Sequence, residues 1–331
     1  MLLSFLLTMH TNLLGALFGI VLCGTSVYAS PAPASTSTSA GCDKRHLTGY
    51  RPEHQQVVSN NVTRSYTMYV PTTYNDTVHL KKTWPLIVDY HGNGGTGYQQ
   101  HNNSLYDKYT NDYLIAYPYG WKEHWQGPNY SISGIDDLQF TTDLLEHLRG
   151  EYCIDDERIY ASGKSNGGGF VDTLACSPNG NEFAAFAMAS AALYTDLNQS
   201  SCNYTRAILE SHGTNDTTIP YAPTKDGSGG PLPQVAEWVR WWAARDEFDP
   251  NQPKVISQPG YNITIYPFEG NKEVVKHYKI FDLNHCWPSS TGDNYDYTKV
   301  NSTCDKYSLD FTPKVLEFFS SWTLNTAPGT G

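Results

Sequence analysis

The stretch Arg158-Ile159-Tyr160-Ala161-Ser162-Gly163-Lys164-Ser165-Asn166-Gly167-Gly168-Gly169-Phe170 constrains this chain more than any other. A β-prone run enters a glycine-rich turn, and a segment able to form a helix leaves it. Glycines two before and two after Ser165 leave room for a strained turn and for close helix packing. That is the setting in which a serine Oγ is presented above a sheet edge. Five letters match by chance in many loops, so the reading depends on what surrounds them.

Apolar runs alternate with amphipathic ones along the chain. Strands are predicted over 64–71, 84–92, 113–118, 158–162, within 183–192, and over 206–213, 263–267 and 274–283. Helices are predicted over 135–149, from Gly169 to Ala175, over 235–245 and from Pro313 to Leu324. Strands alternating with helices imply an α/β domain with a mostly parallel central sheet covered by helices on both faces. Chemistry in such sheets sits at the carboxyl ends of strands, here the loops after Tyr90, Ser162, Ser211 and Leu283.

Composition narrows the function classes. The 331 residues carry a net charge of −11 and no basic run, which argues against nucleic acid and anionic membrane as partners. Residues 1–29 hold no Asp, Glu, Lys or Arg. They contain an apolar run from Leu13 to Cys23, too short to span a bilayer comfortably, and end in Val27-Tyr28-Ala29. This pattern predicts a signal peptide cleaved after Ala29, and a secreted product. A Ser/Thr/Pro-rich lead-in over 30–41 and one domain over 42–331 follow. Nine Asn-x-Ser/Thr acceptors fit secretion. Glycans are expected at Asn61, Asn75, Asn102, Asn129, Asn198, Asn203, Asn262 and Asn301, the ninth acceptor being Asn215. No cysteine or histidine spacing suggests a metal, and no cofactor is expected.

A serine hydroxyl needs a base, and the base needs a carboxylate to orient it. Of the histidines after Ser165, His277 lies inside a predicted strand, whereas His285 sits in Asp282-Leu283-Asn284-His285-Cys286-Trp287-Pro288, a loop at a strand end. His285 is the candidate base, against a merely structural loop histidine. Asp216, in Ser211-His212-Gly213-Thr214-Asn215-Asp216, follows a strand on a polar turn and is the candidate acid, against a solvated turn aspartate. Two preorganised N–H donors are expected for an oxyanion. One is that of Asn166; the other comes from the loop His91-Gly92-Asn93-Gly94-Gly95-Thr96-Gly97, with Asn93 preferred and Gly94 next. Trp121 and Trp125 are candidate walls of a substrate pocket, with packing beneath the loop as the equal alternative.

Taken together, His91-Gly92, Ile135-Asp136-Asp137, Gly163-Lys164-Ser165-Asn166-Gly167-Gly168, His212-Gly213-Thr214-Asn215-Asp216 with Ile219-Pro220-Tyr221, and His285-Cys286-Trp287-Pro288 resemble carbohydrate esterase family 1. The likeness is strongest to secreted fungal feruloyl esterases, with acetylxylan esterases and polyhydroxybutyrate depolymerases as relatives. It runs from about Cys42 to the end. The resemblance implies an α/β-hydrolase fold and metal-free ester hydrolysis through an acyl-enzyme, with Ser165 as nucleophile, Asp216 as acid and His285 as base. It also implies a feruloylated plant cell-wall polysaccharide as substrate. Acetylated xylan and polyesters are the alternatives, and a non-catalytic polysaccharide-binding homologue is the alternative from another class. A monomer is expected.

Cys23 leaves with the signal peptide, and the six remaining cysteines suggest three disulfides. Cys176 with Cys202 closes a short loop, Cys286 with Cys304 pins the histidine loop, and Cys42 is left for Cys153.

Overall fold

A computed structural model of the chain describes residues 39–76, 82–267, 272–292, 304 and 306–329. The signal peptide, residues 30–38 of the lead-in and the Asn301 acceptor lie outside them. The ten strands are β1 (Gly49–Ser59), β2 (Val62–Val70), β3 (Trp84–Tyr90), β4 (Leu114–Pro118), β5 (Ile154–Lys164), β6 (Ala185–Ala189), β7 (Ile208–Gly213), β8 (Lys254–Gln258), β9 (Tyr261–Pro267) and β10 (Glu273–Ile280). The helices are α1 (Gly97–Ser104), α2 (Tyr106–Tyr109), α3 (Asp137–Glu151), α4 (Asn166–Ala175), α5 (Val235–Arg245) and α6 (Phe311–Ser320).

Among the described residues, these ten strands form one sheet in the order β1-β2-β4-β3-β5-β6-β7-β10-β9-β8. The middle, from β4 to β10, is parallel, and antiparallel strands close both edges. This is an α/β-hydrolase fold. Trp84–Tyr90, Leu114–Pro118, Ala185–Ala189 and Ile208–Gly213 are buried at every position. Burial on both faces is why their sequences read as unbroken apolar runs.

Side-chain alternation assigns the helices to two faces. On one, Asp89 accepts from Ser162 and from Gln100 of α1, and Tyr160 stacks on Phe319 of α6 at 4.6 Å. On the other, Tyr90 meets Phe170 of α4 edge-on and pairs its hydroxyl with Thr141 of α3. Indole N–H groups of Trp238 and Trp242 on α5 both donate to Asp172 of α4. The triple tryptophan of α5 therefore divides: Trp238 and Trp242 are buried, and Trp241 is half-buried.

Four elements escape the pattern reading: β1, β8, α1 and α2. β1 is polar and carries Pro52, which an edge strand tolerates beside its irregularity between Arg51 and Gln55. β8 is an exposed edge strand with little apolar content. α1 is Gly-Tyr-Gln-Gln-His-Asn-Asn-Ser, poor in helix formers, started by Thr96 capping the Gln99 N–H. Helix α4 begins at Asn166 rather than Gly169, and α6 at Phe311, so that Pro313 falls in its first turn.

The three disulfides join Cys42 to Cys153, Cys176 to Cys202 and Cys286 to Cys304. The first ties the start of the domain to the α3–β5 junction, where Ser39 Oγ also donates to the Tyr152 carbonyl.

The Ile135-Asp136-Asp137 segment has a structural task. Asp136 caps α3 by accepting from the Gln139 N–H, while Asp137 holds Arg64 of β2 at 2.7 Å with both side chains buried. The Arg64 guanidinium lies 3.9 Å over the Phe140 ring. Asp137→Ala would leave that guanidinium buried without a counter-charge. It should cost about 3–5 kcal/mol in urea unfolding, and a loss below about 1 kcal/mol would contradict this account.

Candidate active site

Ser165 joins β5 to α4 with φ 57° and ψ −119°, a left-handed conformation costly for a residue with a side chain. Its backbone is held at both ends: the N–H donates to the Ala189 carbonyl at 3.0 Å, and the carbonyl accepts from Gly169 and Ala192 at 2.9 Å each. Gly167 makes the turn possible. A Cβ there would sit well inside contact distance of the Tyr90 and His91 carbonyl oxygens, so α4 can approach β3 this closely only without a side chain.

The loops after β7 and β10 bring two further side chains to the serine. Thr214 N–H donates to Ile280 O at 2.9 Å and Asn215 N–H to Leu283 O at 3.1 Å, lacing the loops together. Gly213 allows it, since a Cβ there would collide with the Leu283 carbonyl. Asp216 Oδ2 lies 2.7 Å from His285 Nδ1, and His285 Nε2 lies 2.8 Å from Ser165 Oγ. Asp216 Oδ1 accepts from the Thr218 and Ile219 N–H groups at 2.9 and 2.8 Å. All three side chains are buried. Burial would raise the Asp216 carboxyl, but His285 and then His212 outweigh it and hold the group below the usual carboxylate range. An ionised acceptor at Nδ1 orients the ring so that Nε2 can accept the serine proton.

The glycine loop after β3 is built on His91. Its Nδ1–H donates to Gly92 O at 2.7 Å, and its Nε2 accepts the Gly120 N–H at 2.9 Å. Burial pushes this imidazole down to about 4, so it stays neutral and positions the loop. Asn93 is exposed at the tip, its side chain paired with His124 Nδ1. The Gly94 N–H is spent on Glu123 O at 2.9 Å, which removes Gly94 as the second choice for an oxyanion donor. Asn166 spends its side chain on Trp125, accepting its N–H at 2.9 Å. Its own N–H opens α4, where first-turn donors have no acceptor within the helix.

Trp125 is a correction. It is fully buried, stacked at 5.4 Å on Phe170 and donating its indole N–H to the His91 carbonyl. It braces the glycine loop from behind and does not face a substrate. Trp121 is half-buried and bridges to His124. A hollow of about 750 Å³ adjoins the glycine loop at Gly94, walled by Tyr98, Gln99, Asn102 and Glu123. Ser165 and His285 are not among its lining residues.

Of the glycan acceptors, Asn61, Asn129, Asn198 and Asn203 are exposed, and Asn102 and Asn262 half-buried. The Asn75 amide holds the His46 peptide at both ends. Among the described residues, Asp172, Cys176 and Asp196 are spaced as metal ligands are. The thiol, however, is in a disulfide, and Asp196 is paired with Arg245 at 2.7 Å.

What sequence reasoning missed lies behind Asp216. Glu210 and His212 occupy alternate positions of β7 and are completely buried, and His277 of β10 is buried beside Glu210. A glutamate two residues from a histidine in an otherwise apolar strand was the available signal.

The fold is that of the α/β-hydrolases, and the site has the composition of a serine, a histidine and a carboxylate in one hydrogen-bonded line. Comparison with known proteins is consistent with this, although no family model matches the chain. An acetyl xylan esterase from Aspergillus awamori superposes over 81% of this chain and 99% of its own, with TM-score 0.56 and 16% identity. A thermostable esterase superposes with TM-score 0.50 and 14% identity, over 83% of this chain and 63% of its own. In sequence the chain is similar to proteins named feruloyl esterase and acetylxylan esterase/xylanase. It is 31% identical over 147 residues, 43% of the chain, to the bifunctional acetylxylan esterase/xylanase XynS20E of Neocallimastix patriciarum. It is 27% identical over 58% of the chain to feruloyl esterase D of Neurospora crassa, and 26% over 57% to feruloyl esterase C of Emericella nidulans. The match spans 21% of the first relative and 66% of each of the other two.

The geometry of the turn is open to test. Gly167→Ala should destabilise the protein by about 1–3 kcal/mol through overpacking. Gly150→Ala in α3, where a Cβ meets nothing within 4 Å, should be neutral or stabilising by up to about 1 kcal/mol. Equal denaturant midpoints for the two variants would show that α4 does not need the glycine.

Proposed function

We propose that this protein is a secreted carboxylic ester hydrolase that releases ferulic and related hydroxycinnamic acids from plant cell-wall polysaccharide. The observation that carries the reading is the unbroken line Asp216–His285–Ser165, with hydrogen-bond distances of 2.7 and 2.8 Å at a strained turn. Kinship with proteins named feruloyl esterase supports the substrate class.

In this reading, Ser165 Oγ attacks the ester carbonyl carbon while His285 Nε2 takes the hydroxyl proton. The backbone N–H groups of Asn93 and Asn166 receive the oxyanion. The tetrahedral intermediate collapses as His285 returns the proton to the departing sugar alcohol. A water molecule, deprotonated by the same imidazole, then hydrolyses the acyl-enzyme and frees the acid. Asp216 stays ionised and stabilises the imidazolium formed in each half. The hollow beside Gly94, with Tyr98 exposed at its wall, offers the polysaccharide a stacking surface next to the oxyanion loop.

Acetylxylan is the competing substrate, favoured by the names of one sequence relative and one structural neighbour. Ser165→Ala should lower hydrolysis of methyl ferulate at least about a thousandfold while leaving the fold intact; retention of a tenth of the activity would refute the assignment. Release of ferulate, acetate and hydroxybutyrate by the wild-type protein, compared on equal terms, separates the substrate classes. Ferulate should lead, and a larger kcat/KM for acetate would transfer the protein to the acetylxylan esterases.

A further inference from the structure

Behind Asp216 the buried polar groups continue away from Ser165, and no step of the reaction above uses them. Glu210 and His212 stand on one face of β7, two residues apart. His212 Nδ1 lies 2.9 Å from Glu210 Oε1. Its Nε2 lies 2.8 Å from the Ile219 carbonyl oxygen and 3.5 Å from Asp216 Oδ2. A carbonyl oxygen only accepts, so Nε2 carries a proton. An ionised Glu210 also only accepts, and calls for a second proton at Nδ1. Glu210 Oε2 in turn lies 2.7 Å from Nδ1 of His277, its register partner on β10. That approach lies outside hydrogen-bond geometry and is a charge contact, so a carboxylate here has an imidazole close to each of its oxygens.

We propose that His212 is an imidazolium at neutral pH, set between the Glu210 and Asp216 carboxylates, and that it is the positioning residue that keeps Asp216 ionised and tempers the basicity of His285. This rests on the reading of Ser165, His285 and Asp216 as the reacting set.

The charges around His212 favour this state. From β7 and its loop it faces Glu210 and Asp216, with His285 beyond. From β10 come His277 and Lys279, and Tyr221 stands edge-on to its ring at 5.9 Å. The Lys279 ammonium is drawn over the Tyr221 ring at 4.7 Å, and Arg240 of α5 borders the same region. The two nearest charges are thus both negative. Burial by itself would hold the imidazole neutral; Glu210, then Asp216 and the Ile219 carbonyl, outweigh it and push the group up to about 9. Glu210 is held below the usual carboxylate range, His212 overcoming the burial that would raise it. Without a cation between them, two buried carboxylates would compete, and one would take up a proton. A neutral Asp216 could no longer stabilise a charged His285. A fixed positive charge behind Asp216 also disfavours a second one on His285, keeping that ring in its basic form at lower pH.

Imidazole ¹⁵N NMR of the wild-type protein tests the charge state directly. One of the 11 histidines should remain doubly protonated from pH 6 to 8; finding every imidazole neutral at pH 7.5 would overturn the proposal, whether or not any variant folds. The pH profile of kcat/KM on methyl ferulate tests the role. His212→Gln removes the cation, so its acid limb should move by about one pH unit, upward if Glu210 takes up the proton and downward if Asp216 does. Glu210→Gln should move it upward, and the double variant no further than His212→Gln alone. A uniform loss of activity with the limb in place would mean a purely structural residue and would sink the role assigned here. Ser165→Ala that kept hydrolysis would defeat the site reading and leave the imidazolium resonance untouched, so the two failures are distinguishable.

Discussion

A serine held at positive φ returns to an ordinary conformation unless its surroundings forbid it, and at Ser165 the centre of the sheet does the forbidding. The residue is bonded through its N–H to the end of β6 and through its carbonyl to the first turn of α4 and to Ala192. Gly167 presses the same helix against the carbonyls that end β3. Strain of about 1–3 kcal/mol is thereby distributed over three parallel strands. The glycine loop inherits its position from this contact, because Trp125, which braces it, is bonded to Asn166 on one side and His91 on the other. One backbone geometry thus places both the Ser165 hydroxyl and the glycine loop.

Buried charge does the remaining positioning. Only 17% of the residues are charged, yet several lie in the interior, each against a defined partner. Arg64 with Asp137 joins the β1–β2 edge to α3, and Asp196 with Arg245 secures α5; Asp172, whose carboxyl burial pushes well above the usual range, receives two indole N–H groups instead of a counter-charge. A buried ion pair is weak evidence for stability, since desolvation offsets much of its attraction. Its directional demand is strong, however, and loops pinned this way have few alternative arrangements. The row from His277 through Glu210, His212 and Asp216 to His285 extends the same device into the site, where the partner of each charge is itself a charge or a titratable ring.

Legibility in the sequence followed burial. Strands buried on both faces were visible as apolar runs, and α5 and α6 as amphipathic ones. The edges β1 and β8 were not, because a half-exposed or exposed strand carries the polar composition of a loop. Helix α1 was hidden for a related reason: its buried residues include Gln100 and Ser104, held by hydrogen bonds rather than by apolar contact. Trp125 shows the opposite failure. An aromatic-rich loop after a strand reads the same whether its rings face a pocket or the core, and one-dimensional spacing cannot distinguish the two.

The order Ser165, Asp216, His285, the glycines that permit the tight turn and the loop crossing, and the alternation of strands with helices were determined by the sequence alone, since each follows from local sterics or from which residue types can do the chemistry. Tertiary structure decided everything that depends on which groups share a low-dielectric interior. It set Trp125 behind the glycine loop, spent the Gly94 N–H on Glu123, and brought Glu210 and His212 up behind the elbow's partner Asp216. Proximity between residues distant in the chain determines the charge of a buried side chain, and that proximity exists only once the sheet has formed.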